Sequence, residues 1–248
     1  MKVAVITGGS RGIGKSTALN VAKRGTGVIL TYNSHPEEGE AVAAEINKNG
    51  GKAVALKLDV ANVGSFSDFV GQVAQVLKKE WNRENFDYLV NNAGIAQRAL
   101  IKDTTEEMFD QVVKVNLKGP FFLTQKLIPL MIDGGHIINI SSGLARFSFP
   151  GVAVYGSLKA ALEGFTRSFA KEYASRKIRV NTVAPGAIDT EFGGGKGDDN
   201  ARKHIAELTA LGRLGEAEDI GVFVASLLSD DSRFLNAQRI EVSGGMFI

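Results

Sequence analysis

Short apolar segments rich in valine and isoleucine alternate with amphipathic stretches along the 248 residues, and this alternation constrains the fold more than any other feature. Several of these segments are almost entirely apolar, which is typical of strands covered on both faces by helices. Strands that alternate with helices predict a parallel sheet built from β-α-β units. The predicted strands are Val3–Thr7, Val28–Tyr32, Ala53–Leu58, Tyr88–Val90, His136–Ser141, Arg179–Val183 and Arg239–Val242. The predicted helices are Ile13–Lys23, Glu37–Asn47, Phe66–Lys79, Glu106–Leu130, Ala153–Ser175, Arg202–Leu211 and Glu218–Leu228.

The chain is expected to form one domain over residues 1–248, because no linker rich in Pro, Gly or Ser, no internal repeat and no low-complexity tract divides it. One compositional break stands out, the polar and glycine-rich run Gly193–Asn200. A loop of this kind late in an α/β domain predicts a lid over a substrate pocket, around residues 187–212. An ordinary surface loop is the alternative that composition leaves open.

Composition excludes several classes of function. The absence of cysteine rules out disulfides, thiolate catalysis and cysteine-bound metals. The three histidines, His35, His136 and His204, do not cluster with each other or with acids at ligand spacing, so no metal site is expected. A net charge of +2, without a long basic run, offers no footprint for nucleic acid. No segment is as long and apolar as a signal peptide or a membrane span, so we expect a cytoplasmic protein.

A glycine-rich turn, Thr7–Gly14, lies where the first predicted strand ends and the first predicted helix begins. Glycines at this point allow a tight turn and let the backbone approach a pyrophosphate at the helix N-terminus, where free N–H groups favour anions. The turn therefore predicts a dinucleotide site that includes Gly8, Ser10, Arg11, Gly12, Ile13 and Gly14. Together with the alternation of strands and helices, it predicts an α/β fold: a single-domain, Rossmann-type, doubly wound parallel sheet of about seven strands with helices on both faces.

The spacing of these glycines, with three residues between Gly8 and Gly12 and one before Gly14, resembles that of the short-chain dehydrogenase/reductase family. The resemblance extends along nearly the whole chain. In the order typical of that family, the further motifs are Asn91-Asn92-Ala93-Gly94, Asn116, Ser141-Ser142, Tyr155-Gly156-Ser157-Leu158-Lys159, and Pro185-Gly186 with Thr190. The resemblance implies a nicotinamide-dependent oxidoreductase that acts on carbonyl or alcohol groups.

The end of the second predicted strand indicates which nicotinamide cofactor is bound. An acidic residue there would bind the ribose 2′-hydroxyl and repel a 2′-phosphate, but this chain has Tyr32. Arg11 can supply positive charge, and Asn33 and Ser34 can hydrogen-bond a phosphate. NADP(H) is therefore the predicted cofactor, with a solvated surface role for Arg11 as the alternative.

The resemblance also implies further cofactor contacts. Asp59 and Val60 follow the third strand, where relatives contact the adenine, although Asp59 could instead cap a helix. The remaining positions that the resemblance assigns to the cofactor are Asn92, Ala93, Gly94, Tyr155, Lys159, Pro185, Gly186, Ile188 and Thr190.

Tyr155 and Lys159 are four residues apart in a helical pattern, so they share one helix face. A free phenol, with a pKa of about 10, is a sluggish acid–base catalyst at neutral pH. An adjacent ammonium stabilises the phenolate, and Lys159 together with a positively charged nicotinamide could bring the phenol pKa near neutrality. The pair therefore predicts Tyr155 as general acid and base. If this motif stood alone, we would interpret Tyr155 and Lys159 as an exposed pair without a catalytic role.

By resemblance, Ser142 polarises the substrate carbonyl, Lys159 binds the nicotinamide ribose, and Asn116 holds a water that links Lys159 to solvent. Ser141 points the other way if the strand continues through it. An NADP(H)-binding sensor without catalysis is the alternative from another class. Intact Tyr155, Lys159 and Ser142 disfavour it.

The resemblance implies a small carbonyl or alcohol compound as substrate, and the sequence as a whole is similar to 3-oxoacyl-[acyl-carrier-protein] reductases. Arg176 matches one basic position that docks the acidic carrier, but Asp133 stands where another basic residue is expected, and an acid opposes such docking. Asn236-Ala237 and Ser243 also depart from the usual residues near the C-terminus. A carrier-protein partner is therefore not favoured. The resemblance implies a homo-oligomer, a tetramer or a dimer, with contacts through Glu106–Leu130 and Ala153–Ser175.

Overall fold

The computed structural model describes residues 1–192 and 199–248, and it contains one parallel seven-stranded sheet in the order β3-β2-β1-β4-β5-β6-β7. Helices cover both faces, as the sequence predicted. The strands are β1 (Val3–Ile6), β2 (Gly27–Tyr32), β3 (Ala53–Lys57), β4 (Phe86–Asn91), β5 (Met131–Ile140), β6 (Arg179–Pro185) and β7 (Arg239–Val242). The α-helices are α1 (Gly12–Lys23), α2 (Pro36–Lys48), α3 (Phe66–Trp81), α4 (Glu106–Val113), α5 (Gly119–Leu127), α6 (Ala153–Glu172), α7 (Asp199–Glu207) and α8 (Ala217–Leu227).

The two faces of the sheet explain why β1, at its centre, is apolar at every position. In β1, Val3 and Val5 belong to the hydrophobic core on one face, together with residues of α3, α5 and α6. Ala4 and Ile6 belong to the core on the other face, with residues of α1, α2 and α8. All four side chains are fully buried, so a polar residue at any of them would lie in a core.

The predicted helix Glu106–Leu130 is wrong as a single α-helix. The structure divides it into α4, a π-helical turn at Lys114–Lys118, α5, and a short 3₁₀ turn at Ile128–Leu130. Pro120, in the first turn of α5, has no N–H and cannot donate to the carbonyl of Asn116 four residues earlier. The regular pattern of α-helical hydrogen bonds is therefore interrupted at Asn116. The periodicity of apolar residues did not reveal this interruption.

Among the other elements, the fifth strand and the seventh helix differ most from the prediction. β5 begins at Met131, five residues before the predicted His136, because Phe86 pairs with Met131 across an irregularity in the β4–β5 ladder. The helix predicted at Arg202–Leu211 is α7, Asp199–Glu207. Of the lid predicted around 187–212, residues 193–198 lie outside the described residues. No helix in the described ranges is long and apolar enough to cross a membrane.

The strand order creates a crevice at the centre of the sheet. The chain moves outward from β1 through β2 to β3 and then returns to place β4 on the other side of β1. In doubly wound sheets, ligands bind outside the carboxyl ends of the strands where the order reverses. The glycine turn after β1 and the Asn91–Gly94 segment after β4 meet at this place.

Candidate active site

The glycine-rich turn has no room for a side chain at Gly14. Gly8 and Gly12 have left-handed backbone angles, with φ of 63° and 53°. A Cβ atom on Gly14 would lie 2.0 Å from the carbonyl oxygen of Gly8 and 2.5 Å from Nδ2 of Asn92. These distances are far below van der Waals contact, so close backbone approach between α1 and the turn requires glycine.

The N-terminus of α1 can accept an anion. Arg11 precedes the helix with an extended backbone, and its side chain makes no capping hydrogen bond. The early N–H groups of a helix lack intrahelical partners, and together with the helix dipole they favour a phosphate. Arg11 itself is exposed beside this end. The turn therefore fits the pyrophosphate of a dinucleotide.

A hydrogen-bonded clamp joins this turn to the end of β4. The side-chain amide of Asn92 donates to the carbonyls of Thr7 and Gly8 at 2.9 and 3.0 Å. In return, the Thr7 hydroxyl accepts from the backbone N–H groups of Asn92 and Ala93, both at 3.0 Å. The predicted cofactor residues of the two segments are thus brought together.

The residues that follow β2 are open to solvent beside the glycine turn. Asn33 and Ser34 are exposed, while Tyr32 is half-buried against Gly39 of α2. Gly8 donates its N–H to the Thr31 hydroxyl at 3.1 Å, which holds the end of β2 beside the glycine turn that carries Arg11.

After β3, Asp59 makes the local contact that the sequence left open. Its carboxylate accepts a hydrogen bond from the N–H of Ala61 at 2.9 Å, so it caps a turn, and it is otherwise exposed. Val60 is buried, with its carbonyl against Gly119. The capping role does not occupy the whole carboxylate.

The chain after β6 folds back over the glycine turn. Pro185 ends β6, and Thr190 approaches the turn so closely that a Cβ on Gly12 would lie 3.7 Å from its Cγ2. Gly186 packs against Ser243, where a Cβ would meet the Ser243 Cα at 2.8 Å. Ile188 pairs with Gly215 in an isolated parallel bridge. These predicted cofactor residues therefore lie at the same edge as the turn.

Tyr155 and Lys159 lie on one face of α6 and are both buried. The Lys159 Nζ donates to the carbonyl of Ile140 at 2.8 Å and lies 5.5 Å from the centre of the Tyr155 ring. Burial lowers the pKa of Lys159 to about 8, because an ammonium is poorly solvated there. Burial also raises the pKa of Tyr155 above its usual value, partly offset by a hydrogen bond with Ser142.

The pKa of Tyr155 is shifted upward in this structure, whereas the sequence led us to expect a lowered pKa in the cofactor-bound enzyme. In the protein by itself, loss of solvation on burial raises the phenol pKa, and the hydrogen bond with Ser142 opposes that rise. The lowering of the phenol pKa that the sequence led us to expect from Lys159 is not seen in the protein by itself.

The two serines after β5 face opposite directions, as the alternation of a strand requires. Ser142 interacts with Tyr155, and its hydroxyl accepts a hydrogen bond from the N–H of Leu144 at 3.2 Å. Ser141 donates to a carboxylate oxygen of Glu163 at 2.7 Å. Glu163 also accepts from Arg239 of β7 at 2.8 Å. The carboxylate thus ties the back of the site to α6 and β7.

Asn116 is almost completely buried in the π-helical turn. Its side-chain amide donates to the carbonyls of Ile95 and Val112 at 2.9 and 3.0 Å. Gly94 stands between Asn116 and Lys159: its Cβ position lies 2.8 Å from Oδ1 of Asn116 and 3.7 Å from the Lys159 ammonium. All four predicted catalytic residues are therefore brought to one place.

Sequence reasoning missed two residues near this site. The ring of Phe192 lies 5.8 Å from that of Tyr155, centre to centre. Its place in the predicted lid was the only available signal. Glu163 was also missed, although it lies one helical turn after Lys159, the same spacing that joins Lys159 to Tyr155.

The two residues that bear on carrier-protein docking pair with each other. The Arg176 guanidinium donates to the Asp133 carboxylate at 2.7 Å and to the backbone carbonyl of Ile128 at 2.9 Å. Arg176 is therefore engaged within the chain, and Asp133 offsets its charge.

Comparisons with known proteins agree with this geometry. A family model described as enoyl-(acyl carrier protein) reductase matches residues 8–247. A 3-oxoacyl-[acyl-carrier-protein] reductase, FabG of Staphylococcus epidermidis, is 37% identical over 249 residues, which cover 100% of this chain and 99% of that protein.

Solved structures show the same similarity. A short-chain dehydrogenase/reductase from Serratia marcescens has a TM-score of 0.92 and 34% identity, covering 100% of this chain and 98% of that one. The angucycline C-6 ketoreductase LanV, solved with bound NADP, has a TM-score of 0.93 and 35% identity, covering 99% of this chain and 95% of that one.

Proposed function

Because this chain belongs to the short-chain dehydrogenase/reductase family, we propose that it is an NADP(H)-dependent enzyme that transfers a hydride between the nicotinamide and a carbonyl or alcohol substrate, with Tyr155 as general acid and base. Membership makes it an oxidoreductase that acts on keto or hydroxyl groups of small molecules with a nicotinamide cofactor. The observation that supports the proposal most is the cluster of the buried Tyr155 and Lys159 with the half-buried Ser142 beside the glycine turn.

The residues present fit a dinucleotide. The close backbone approach at Gly14 and the uncapped start of α1 suit a pyrophosphate. The exposed Arg11, Asn33 and Ser34 suit a 2′-phosphate. When bound, the cofactor supplies or accepts the hydride. The NADP-bound state of LanV is consistent with NADP(H) rather than NAD(H) for this chain.

Tyr155 holds the proton that the substrate oxygen receives. Because burial keeps the pKa of the phenol above its usual value, the hydroxyl is protonated at neutral pH, as a general acid requires. Ser142, which hydrogen-bonds the same phenol, would donate to the substrate oxygen as negative charge develops there. The proton and the polarising hydroxyl are thus presented from one side.

Lys159 and Asn116 complete a path by which the phenol regains its proton. With a pKa of about 8, the Lys159 side chain is mostly an ammonium at pH 7 and can stabilise a phenolate. The carbonyl of Asn116 lacks its usual helical donor because that donor would be Pro120. It can accept from a water that connects Lys159 to solvent.

Replacing Tyr155 by Phe tests this assignment directly. We expect kcat for NADPH-dependent reduction of a ketone to fall by about a thousandfold, since general acid–base catalysis contributes on the order of 10² to 10⁴. The dissociation constant for NADPH should change little, because the ring and its packing remain. Tyr173→Phe at the end of the same helix serves as the control and should keep full activity.

Two outcomes would contradict the proposal. Equal activity in Tyr155→Phe and the parent would remove Tyr155 from the chemistry. Tight NADPH binding without turnover of any carbonyl or alcohol would favour the sensor.

A carrier-protein reductase is the second candidate, supported by the similarity to FabG. The internal pairing of Arg176 with Asp133 disfavours it, because the carrier's acidic surface would find that charge already neutralised. Comparing a carrier-bound β-ketoacyl thioester with the same acyl group on a short thiol distinguishes the two. A large preference for the carrier-bound form would establish this candidate.

We also propose a homo-oligomer, a cytoplasmic location and a lid over the substrate from residues 187–212. Phe121 of α5 and Phe165 of α6 lie in ring contact near the helix surface, 4.9 Å apart, where a second copy could pack. Sedimentation of the purified protein measures its oligomeric state directly.

A further inference from the structure

Three phenylalanines from two distant parts of the chain pack together near the proposed catalytic residues. The ring of Phe147 lies 4.7 Å from that of Phe247 and 6.0 Å from that of Phe149, and Phe149 lies 5.3 Å from Phe247. We refer to Phe147, Phe149 and Phe247 as the phenylalanine cluster. Its contacts bring the end of the chain to the loop that follows β5.

The cluster stands directly beside Ser142. Gly143, the next residue, lies so close to Phe147 that a Cβ would meet the tip of the ring at 2.7 Å, and the same position is 3.5 Å from the carbonyl of Pro185. The cluster therefore borders both Ser142 and the end of β6, where the nicotinamide is proposed to bind.

A fourth ring lies against the proton donor itself. Phe192 contacts the Tyr155 ring with a 54° tilt and remains 48% exposed. In the cluster, Phe149 is 36% and Phe247 43% exposed. Large apolar side chains that stay open to solvent around reacting groups indicate a surface that a ligand covers.

The chemistry of these rings selects the ligand. Aromatic rings attract other aromatic rings at centre distances of about 4.5–7 Å, in tilted or offset arrangements, beyond the gain from apolar burial alone. Phe192 and the cluster offer such contacts to a flat apolar molecule, whereas a sugar or a short linear chain would leave much of this surface uncovered. We propose that the substrate is a ketone in which a flat aromatic ring system is fused to the ring that bears the carbonyl, or the corresponding alcohol, bound between Phe192 and the phenylalanine cluster. This inference rests on the proposed function and names its substrate class.

A pair of ketones of equal carbon number tests the inference. 2-Tetralone and trans-2-decalone share one bicyclic skeleton, and in both the carbonyl is unconjugated, but only the first has an aromatic ring. We expect kcat/KM with NADPH to be about tenfold higher for 2-tetralone, the effect of one or two aromatic contacts. A short β-ketoacyl thioester, acetoacetyl-N-acetylcysteamine, represents linear substrates and should be reduced less efficiently than 2-tetralone.

Substitutions of the exposed rings test whether the preference for 2-tetralone depends on Phe192 and the phenylalanine cluster. Phe192→Leu and Phe149→Leu keep apolar volume but remove the ring, and each should lower the 2-tetralone preference about three- to tenfold. Phe234→Leu is the matched control, because Phe234 is fully exposed and precedes the N-terminal end of β7, at the edge opposite Ser142. It should leave the preference unchanged.

The outcomes separate this inference from the proposed function. Reduction of both bicyclic ketones at equal kcat/KM, or a preference that survives both ring variants, would overturn the aromatic substrate class while leaving the enzyme assignment standing. Loss of oligomer mass in Phe149→Leu with equal loss of activity on both ketones would show that a second copy covers the cluster, and would also overturn it. Absence of any reduction by the parent protein would refute the proposed function itself.

Discussion

The glycine turn lies at the same edge of the sheet as Phe192 and the phenylalanine cluster, which together we call the entrance. The two regions differ in what forms their surface. In the turn, backbone meets backbone: the Gly14 position is closed by the Gly8 carbonyl, and the Asn92 amide holds the turn to β4. At the entrance, half-exposed rings such as Phe192 and Phe247 make the surface. At the proposed cofactor side, side chains are limited by steric contact with the backbone, whereas at the proposed substrate side the exposed side chains can change without changing the fold.

The largest expected effect is on the cofactor side, from Gly14→Ala. A methyl group there would lie 2.0 Å from a backbone oxygen, which cannot move without opening the turn. We expect a loss of about 3 kcal/mol or more in the free energy of unfolding, the range of severe packing defects, with loss of NADPH binding. Chemical denaturation and a fluorescence titration with NADPH measure both.

The control for this change is Gly71→Ala in α3. Nothing lies within 4 Å of the added Cβ, so the substitution should stabilise the helix by about 0.5–1 kcal/mol. If Gly14→Ala behaved like Gly71→Ala, the contrast between the two regions would be wrong.

A smaller effect is expected from Arg11→Ala, which sharpens the account of the cofactor side. The exposed guanidinium should attract the 2′-phosphate, so the dissociation constant for NADPH should rise about tenfold, while that for NADH stays unchanged. Arg24→Ala, just after the other end of α1, is the matched control. Equal weakening of both cofactors would place Arg11 on the shared pyrophosphate instead, and no change would make it a surface charge.

The smallest effect is expected from a substitution of Ala237, just before β7 in the C-terminal segment that continues to Phe247. Its φ of 58° is left-handed, a conformation that costs a residue with a Cβ about 1–2 kcal/mol. Ala237→Gly should therefore raise the free energy of unfolding by about 0.5–1 kcal/mol after the entropy of glycine is counted. NADPH affinity should not change.

Ala44→Gly in the exposed face of α2 provides the reference, since the same exchange in a regular helix should destabilise by about 1 kcal/mol. Destabilisation by both substitutions would show that packing of the Ala237 methyl group against the hydrophobic core outweighs the backbone strain.

Most of the fold could be predicted because it depends on periodic patterns. The fully apolar β1 predicted a strand buried on both faces, and the structure confirms it. The break at Asn116 does not show in the apolar periodicity, which continues through it, although Pro120 inside the predicted helix was a signal for an interruption. The roles of Tyr155, Lys159, Ser142 and Asn116 stay predictions, although the structure brings these residues together.

By itself, the sequence determined the sheet, the glycine turn and the set of candidate catalytic residues, because strand burial and glycine requirements are local and are written in residue types. Only the tertiary structure decided the direction of the Tyr155 pKa, the pairing of Arg176 with Asp133 and the meeting of Phe147 with Phe247. These depend on solvation and on contacts between residues distant in the chain, which residue order does not express.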